Sequence, residues 1–94
     1  MESVHQHMAQ VTTMDLRQMA ADERRPRVFE QFDLMEAGDI LLLTHSHHSI
    51  PLFYLLLAEA PMGFTWDYLE QGPECWRIRI CKRLSFSLSE QGLH

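Results

Sequence analysis

His45, His47 and His48 fall within four consecutive residues, between an apolar run at residues 40–43 and the segment Ser49-Ile50-Pro51-Leu52. Imidazole can bind a metal, face an anion or carry a proton near neutrality. If residues 44–48 continue a strand, side chains alternate, so His45 and His47 share one face and His48 takes the other. Two neutral imidazoles so placed can hold one Zn, Fe or Cu ion. A complete site needs further donors, and His5, His7, Asp15, Glu70 and Glu74 have the right chemistry. The same stretch also reads as a strand-to-helix junction, where unpaired helix-start N–H groups beside imidazolium attract an anion or small ligand. That binding would strengthen below the ordinary histidine pKa of about 6.5. The bland alternative is a polar loop whose histidines cap a helix or face water.

Three other groups of residues invite comparison. Cys75 and Cys81 lie six apart in a predicted strand, on one face but roughly 20 Å apart, which excludes a disulfide between them. Arg77, Arg79 and Lys82 nearby could lower a thiol pKa, although a small strand filler is the simpler role for each cysteine. Arg24, Arg25 and Arg27 stand near a predicted helix start, a setting for phosphate or carboxylate, yet surface pairing with Asp22, Glu23 or Glu30 is the favoured expectation. Phe64, Trp66 and Tyr68 share a face of one strand and Trp76 stands on the next, mostly as core. If some of these fall on a sheet face the helices leave open, they and the all-apolar strand at residues 40–43 would be covered by a second copy or the tail, which predicts a homodimer.

The elements that must position these groups are legible in the periodicity. Residues 1–9 are polar and aperiodic, a leader. Residues 11–16 are short, β-branched and alternating, a first strand. Acidic Asp22 and Glu23 precede Pro26, which is tolerated in a first helical turn, and Val28, Phe29, Phe32 and Met35 follow at helical spacing. Gly38-Asp39 would end that helix. Residues 40–44 read as a buried strand, and Ser49 as the N-cap of a second helix with Pro51 in its first turn and Leu52, Leu55 and Leu56 on its apolar face. Residues 64–70 and 75–82 alternate around Gln71-Gly72-Pro73-Glu74, a hairpin. Leu84, Phe86 and Leu88 keep the period of two in a tail at residues 84–94 that could extend the last strand. The expectation is a single domain at residues 10–83 of the α+β class. It is a two-layer sandwich of order β-α-β-α-β-β, with two helices on one face of a four-stranded mixed sheet.

Bulk composition narrows the setting. Eight basic against thirteen acidic residues leave a formal charge of −5, unsuited to nucleic acid or an anionic membrane. No apolar run approaches the ~18–20 residues of a membrane span, and residues 1–10 have no apolar core of the signal-peptide kind, so export is not expected. Two cysteines without an export signal predict reduced thiols and a cytoplasmic location. No Ser/His/Asp order, glycine-rich phosphate loop or Cys-x-x-Cys occurs, so an enzymatic reading has little support.

Several motifs carry a family resemblance. Met14-Asp15-Leu16-Arg17, Arg25-Pro26-Arg27-Val28-Phe29-Glu30-Gln31-Phe32-Asp33, Gly38-Asp39-Ile40-Leu41-Leu42 and Pro51-Leu52-Phe53-Tyr54 occur in that order. The long segment Phe64-Thr65-Trp66-Asp67-Tyr68-Leu69-Glu70-Gln71-Gly72-Pro73-Glu74-Cys75-Trp76-Arg77-Ile78-Arg79-Ile80 closes them. Across residues 11–82 the chain resembles the DUF2249 family of bacterial proteins. The resemblance implies the small fold of the TusA/SirA sulfur carriers and, through members joined to hemerythrin-like domains, a link to metal, redox or sulfur chemistry. Two departures limit the transfer. TusA-type carriers place Cys-Pro at the start of the first helix, whereas here Glu23-Arg24-Arg25-Pro26 has no cysteine. His47 matches a family histidine, but Ser46 and His48 replace its acidic neighbours, and Arg25 stands where family members often have a histidine. Guanidinium has no lone pair for a metal.

The sequence therefore predicts a small cytoplasmic binding or accessory module, with His45, His47 and His48 holding a divalent transition metal or metal cofactor. A metal or redox protein is the expected partner. The alternatives are a sulfur or redox carrier acting through a strand cysteine, and a homodimeric protein-interaction module.

Overall fold

We describe residues 8–84 of the protein from a computed structural model. Strand β1 (Val11–Asp15) leads through a 3-10 turn (Leu16–Gln18) into helix α1 (Ala21–Leu34). Strand β2 (Ile40–His45), helix α2 (Ile50–Glu59) and strands β3 (Phe64–Gln71) and β4 (Trp76–Lys82) follow. The order is β-α-β-α-β-β, as the periodicity predicts. The four strands form one mixed sheet in the spatial order β1-β2-β4-β3. β1 and β2 run parallel, joined across α1; β4 is antiparallel to both β2 and β3.

Register assigns the two faces. Leu41 lies opposite Ile80, Leu43 opposite Ile78 and His45 opposite Trp76, while Trp66 and Tyr68 face Ile80 and Ile78 from the other side. Directly opposed side chains share a face. Leu41, Leu43, Ile78 and Ile80 are at most 1% exposed and pack in one cluster with Val28 and Phe32 of α1 and Leu56 of α2. Both helices therefore cover the same face, the two-layer α+β sandwich. Burying each such side chain contributes about 1.5–3 kcal/mol.

All four hairpin aromatics fall on this helix-covered side, which removes one ground of the homodimer expectation, while the other, the apolar strand, does place Ile40 and Leu42 on the open face. The open face is instead built around Arg77 and Arg79, with Thr13, Thr65 and Asp67 exposed and Ile40, Leu42 and Cys81 half-buried. Arg79 pairs there with Asp67 at 3.2 Å.

Local details correct three expectations. Helix α1 begins at Ala21, so Pro26 lies in its second turn and leaves the Asp22 carbonyl without the i+4 amide. The helix is not closed by Gly38: it ends at Leu34 with Met35 extended as C-cap, and Lys82 Nζ donates to the Phe32 carbonyl at 2.8 Å. Gly38, at φ +96°, turns the chain three residues later. Buried Asp39 ties that turn to β1 by accepting from the Gln10 and Glu36 amides at 3.0 and 2.9 Å. Thirdly, Cys75 precedes β4 and belongs to the connecting turn, where its carbonyl accepts from the Gly72 amide at 2.8 Å. The expected leader and tail lie largely outside the described residues.

Candidate functional site

β2 stops at His45 because Ser46 and His47 bend the chain towards α2. The bend keeps the predicted neighbours together: the His45 and His47 rings meet edge to face with centroids 5.3 Å apart. It also brings His48 to the helix-covered side, lining the same concavity as His45, and not to the opposite face that strand alternation predicts. His48 stacks on the Trp76 indole at 4.3 Å, 5° from parallel, and its Nε2 shares a 2.6 Å hydrogen bond with the Tyr68 hydroxyl. Tyr68 and Trp76, read mostly as core from the sequence, thus engage the third histidine by stacking and a hydrogen bond. Gly72 underlies this arrangement, since a Cβ there would come within 2.6 Å of the Trp76 indole.

The Ser46 amide donates to His45 Nδ1 at 3.0 Å. That bond uses the Nδ1 lone pair, so neutral His45 carries its proton on Nε2 and offers a donor there. Burial, followed by the Arg24 cation and His47, holds the His45 pKa below the ordinary value, against a smaller opposing pull from Asp15. A neutral ring with its free nitrogen protonated is a hydrogen-bond donor and gives a metal no lone pair unless that network rearranges. Among the described residues no group of three His, Cys, Asp or Glu side chains could hold a metal ion. His5 and His7 lie outside the described residues, and Asp15 is engaged by Arg17 at 2.8 and 2.9 Å. Hydrogen bonding from Arg17 lowers the Asp15 carboxyl to about 2.

Beside His45 lies a concavity of about 280 Å³ between the start of α1 and the β2–α2 turn, with Arg24, Arg25, His45, His48 and Ser49 among its lining residues. Leu16, Leu52 and Leu55 supply much of the apolar wall. Arg24, which lines the concavity, donates from Nε to the Leu16 carbonyl at 2.9 Å, and that bond leaves the N–H groups of its terminal nitrogens unused. Neither Arg24 nor Arg25 forms an ion pair among the described residues, so the expected pairing with Asp22, Glu23 or Glu30 is absent there. Ser49 occupies the N-cap position of α2 as predicted, but its hydroxyl makes no capping bond. It is 5% exposed, and its Oγ is buried without a hydrogen-bond partner. Sequence periodicity identifies the position and is blind to where the hydroxyl goes.

The cysteines stay apart from this pocket's lining, and both are free and half-buried. No helix among the described residues is long and apolar enough to cross a membrane.

Fold and site together define a small two-layer α+β domain with a donor-rich pocket where its first helix meets its second strand-to-helix turn. The chain belongs to DUF2249: residues 13–82 match the model of that family, described as an uncharacterized conserved protein. No curated protein and no solved structure matches the chain, and the TusA/SirA likeness implied by the sequence has no support from these comparisons.

Proposed function

We propose that the protein is a small cytoplasmic binding module whose pocket holds an anionic ligand against Arg24, Arg25, His45 and Ser49. The observation that carries this reading is the donor character of every polar group named. Two guanidiniums have no carboxylate partner among the described residues, His45 is protonated on Nε2, and a buried serine hydroxyl lacks a partner. Such a set is matched by a ligand rich in acceptors. The Ser46 amide on Nδ1 and the lowered pKa keep His45 neutral, so its Nε2–H donates without imidazolium and the tightening expected below the ordinary histidine pKa is not needed. The test is an amide-resolved NMR titration with acetate, sulfate and phosphate. Shifts at residues 21–25 and 45–52 that vanish in Arg24→Gln/Arg25→Gln are expected. Unmoved amides at both segments would remove the reading.

A second reading keeps the metal. The 5.3 Å contact of His45 and His47 favours it, because rings so close could share one ion with donors supplied from outside the described residues. It requires the Ser46 amide bond to His45 to be released or the Nε2 proton to be lost. Elemental analysis of protein purified without chelator should then give about one divalent ion per chain, lost in His47→Ala.

A further inference from the structure

Resting on the anion reading, we infer that the ligand is a short-chain organic carboxylate, with its head among the donors and its hydrocarbon body against Leu16, Leu52 and Leu55. The polar and apolar walls belong to one concavity of about 280 Å³. At about 30 Å³ per water-sized unit, that volume suits a ligand on the order of ten non-hydrogen atoms. Inorganic phosphate or sulfate would satisfy donors but leave the leucine wall in contact with water.

The donor side fits a carboxylate. Arg24 is fixed through Nε, so its two terminal nitrogens form the edge left to grip a planar head in two parallel bonds. His45 Nε2–H is a further single donor and the Ser49 hydroxyl becomes one on rotating towards the cavity, and a carboxylate has about four lone-pair sites to meet them. Ser49 supplies the independent sign of a ligand: its residue lines the pocket while its oxygen is buried without a partner, a costly state that a χ1 rotation towards the cavity would relieve once an acceptor is bound there.

Calorimetric titration of the 94-residue chain with acetate, butyrate, hexanoate and inorganic phosphate tests this. Affinity should rise about fourfold for each methylene buried, from acetate to hexanoate. Arg24→Gln should weaken hexanoate at least about tenfold, the cost of a charge-assisted bond. Ser49→Ala should also weaken it while leaving the unfolding temperature of the free protein unchanged or higher, because an unpartnered buried hydroxyl is removed. Retained hexanoate affinity in both variants, each with a native amide spectrum, would overturn the inference. Phosphate binding as tightly as hexanoate, or acetate equalling hexanoate, would overturn the carboxylate class while the anion reading stood. Failure of every probe to bind would remove both.

Discussion

At the residue scale the deciding group is His45, and its behaviour was only half legible in the sequence. The crowding of His45, His47 and His48 is visible from spacing, and two of them do meet. Spacing cannot report that a backbone amide one residue on occupies Nδ1, nor that Tyr68 and Trp76 engage His48. Those partners come from an antiparallel hairpin remote in sequence, where a period-two pattern marks Trp76 only as an inward side chain. The lowered His45 pKa gives a signed prediction. Above the ordinary value both folded and unfolded chains hold a neutral ring. As pH falls through about 6.5 the unfolded state takes the proton first, so stability declines towards the depressed folded value. Urea midpoints compared at about pH 7.5 and pH 5.5 should show a smaller loss in His45→Gln than in the parent. An equal loss in both would assign the acid sensitivity to other groups. Gly72 gives a second prediction at this scale. Its φ of +57° and the 2.6 Å approach to Trp76 make Gly72→Ala destabilising by about 1–3 kcal/mol, read as a lower urea midpoint. Displacement of the Trp76 ring should also loosen the His48 stack and alter tryptophan fluorescence.

At the element scale the helices were recognised from their stripes and misread at their ends. Pro26 drew the expected start of α1 too far along because proline is at home in a first turn; here the acidic pair Asp22 and Glu23 occupies that turn and complements the helix dipole. Gly38 drew the expected end outward, whereas Lys82 from β4 supplies the donor at the last turn, a tertiary cap that no local pattern announces. The start of α1 remains weakly capped: Ala20 is its N-cap and makes no side-chain bond. Ala20→Asp should therefore stabilise the protein by about 1 kcal/mol in thermal or urea unfolding. This substitution also separates structure from binding. Ala20 is absent from the residues lining the pocket, while the helix it caps carries Arg24 and Arg25. Better capping should leave hexanoate affinity within about twofold, whereas an added carboxylate felt strongly by the ligand would weaken it. Ser49 presents the contrary case at α2: the right residue type stands at the N-cap and the capping bond is not made.

At the scale of the whole molecule, the sheet explains why the pocket sits where it does. β2 lies inside the sheet, between β1 and β4, and its inward residues run Leu41, Leu43, His45. The first two are sealed by both helices, and the third emerges where α1 begins and α2 has not yet started. The pocket is thus the place where helix cover stops while the inward row continues. The edges are β1 and β3, and β3 carries a register shift between Tyr68 and Glu70 together with exposed Asp67 and Glu70, features that discourage strand addition. The core row can be tested separately from the site. Ile78 is 0% exposed and lies opposite Leu43 on one side and Tyr68 on the other, so Ile78→Ala leaves a cavity at the centre of the sheet. It should cost about 2–5 kcal/mol, and because the strands on both sides share that contact, loss should be cooperative. Fluorescence from Trp66 and Trp76 should report a single urea transition at a lower midpoint with an unchanged slope. A split transition, with Trp76 released first, would instead mean that the hairpin end carrying His48 unfolds apart from the helix-covered core.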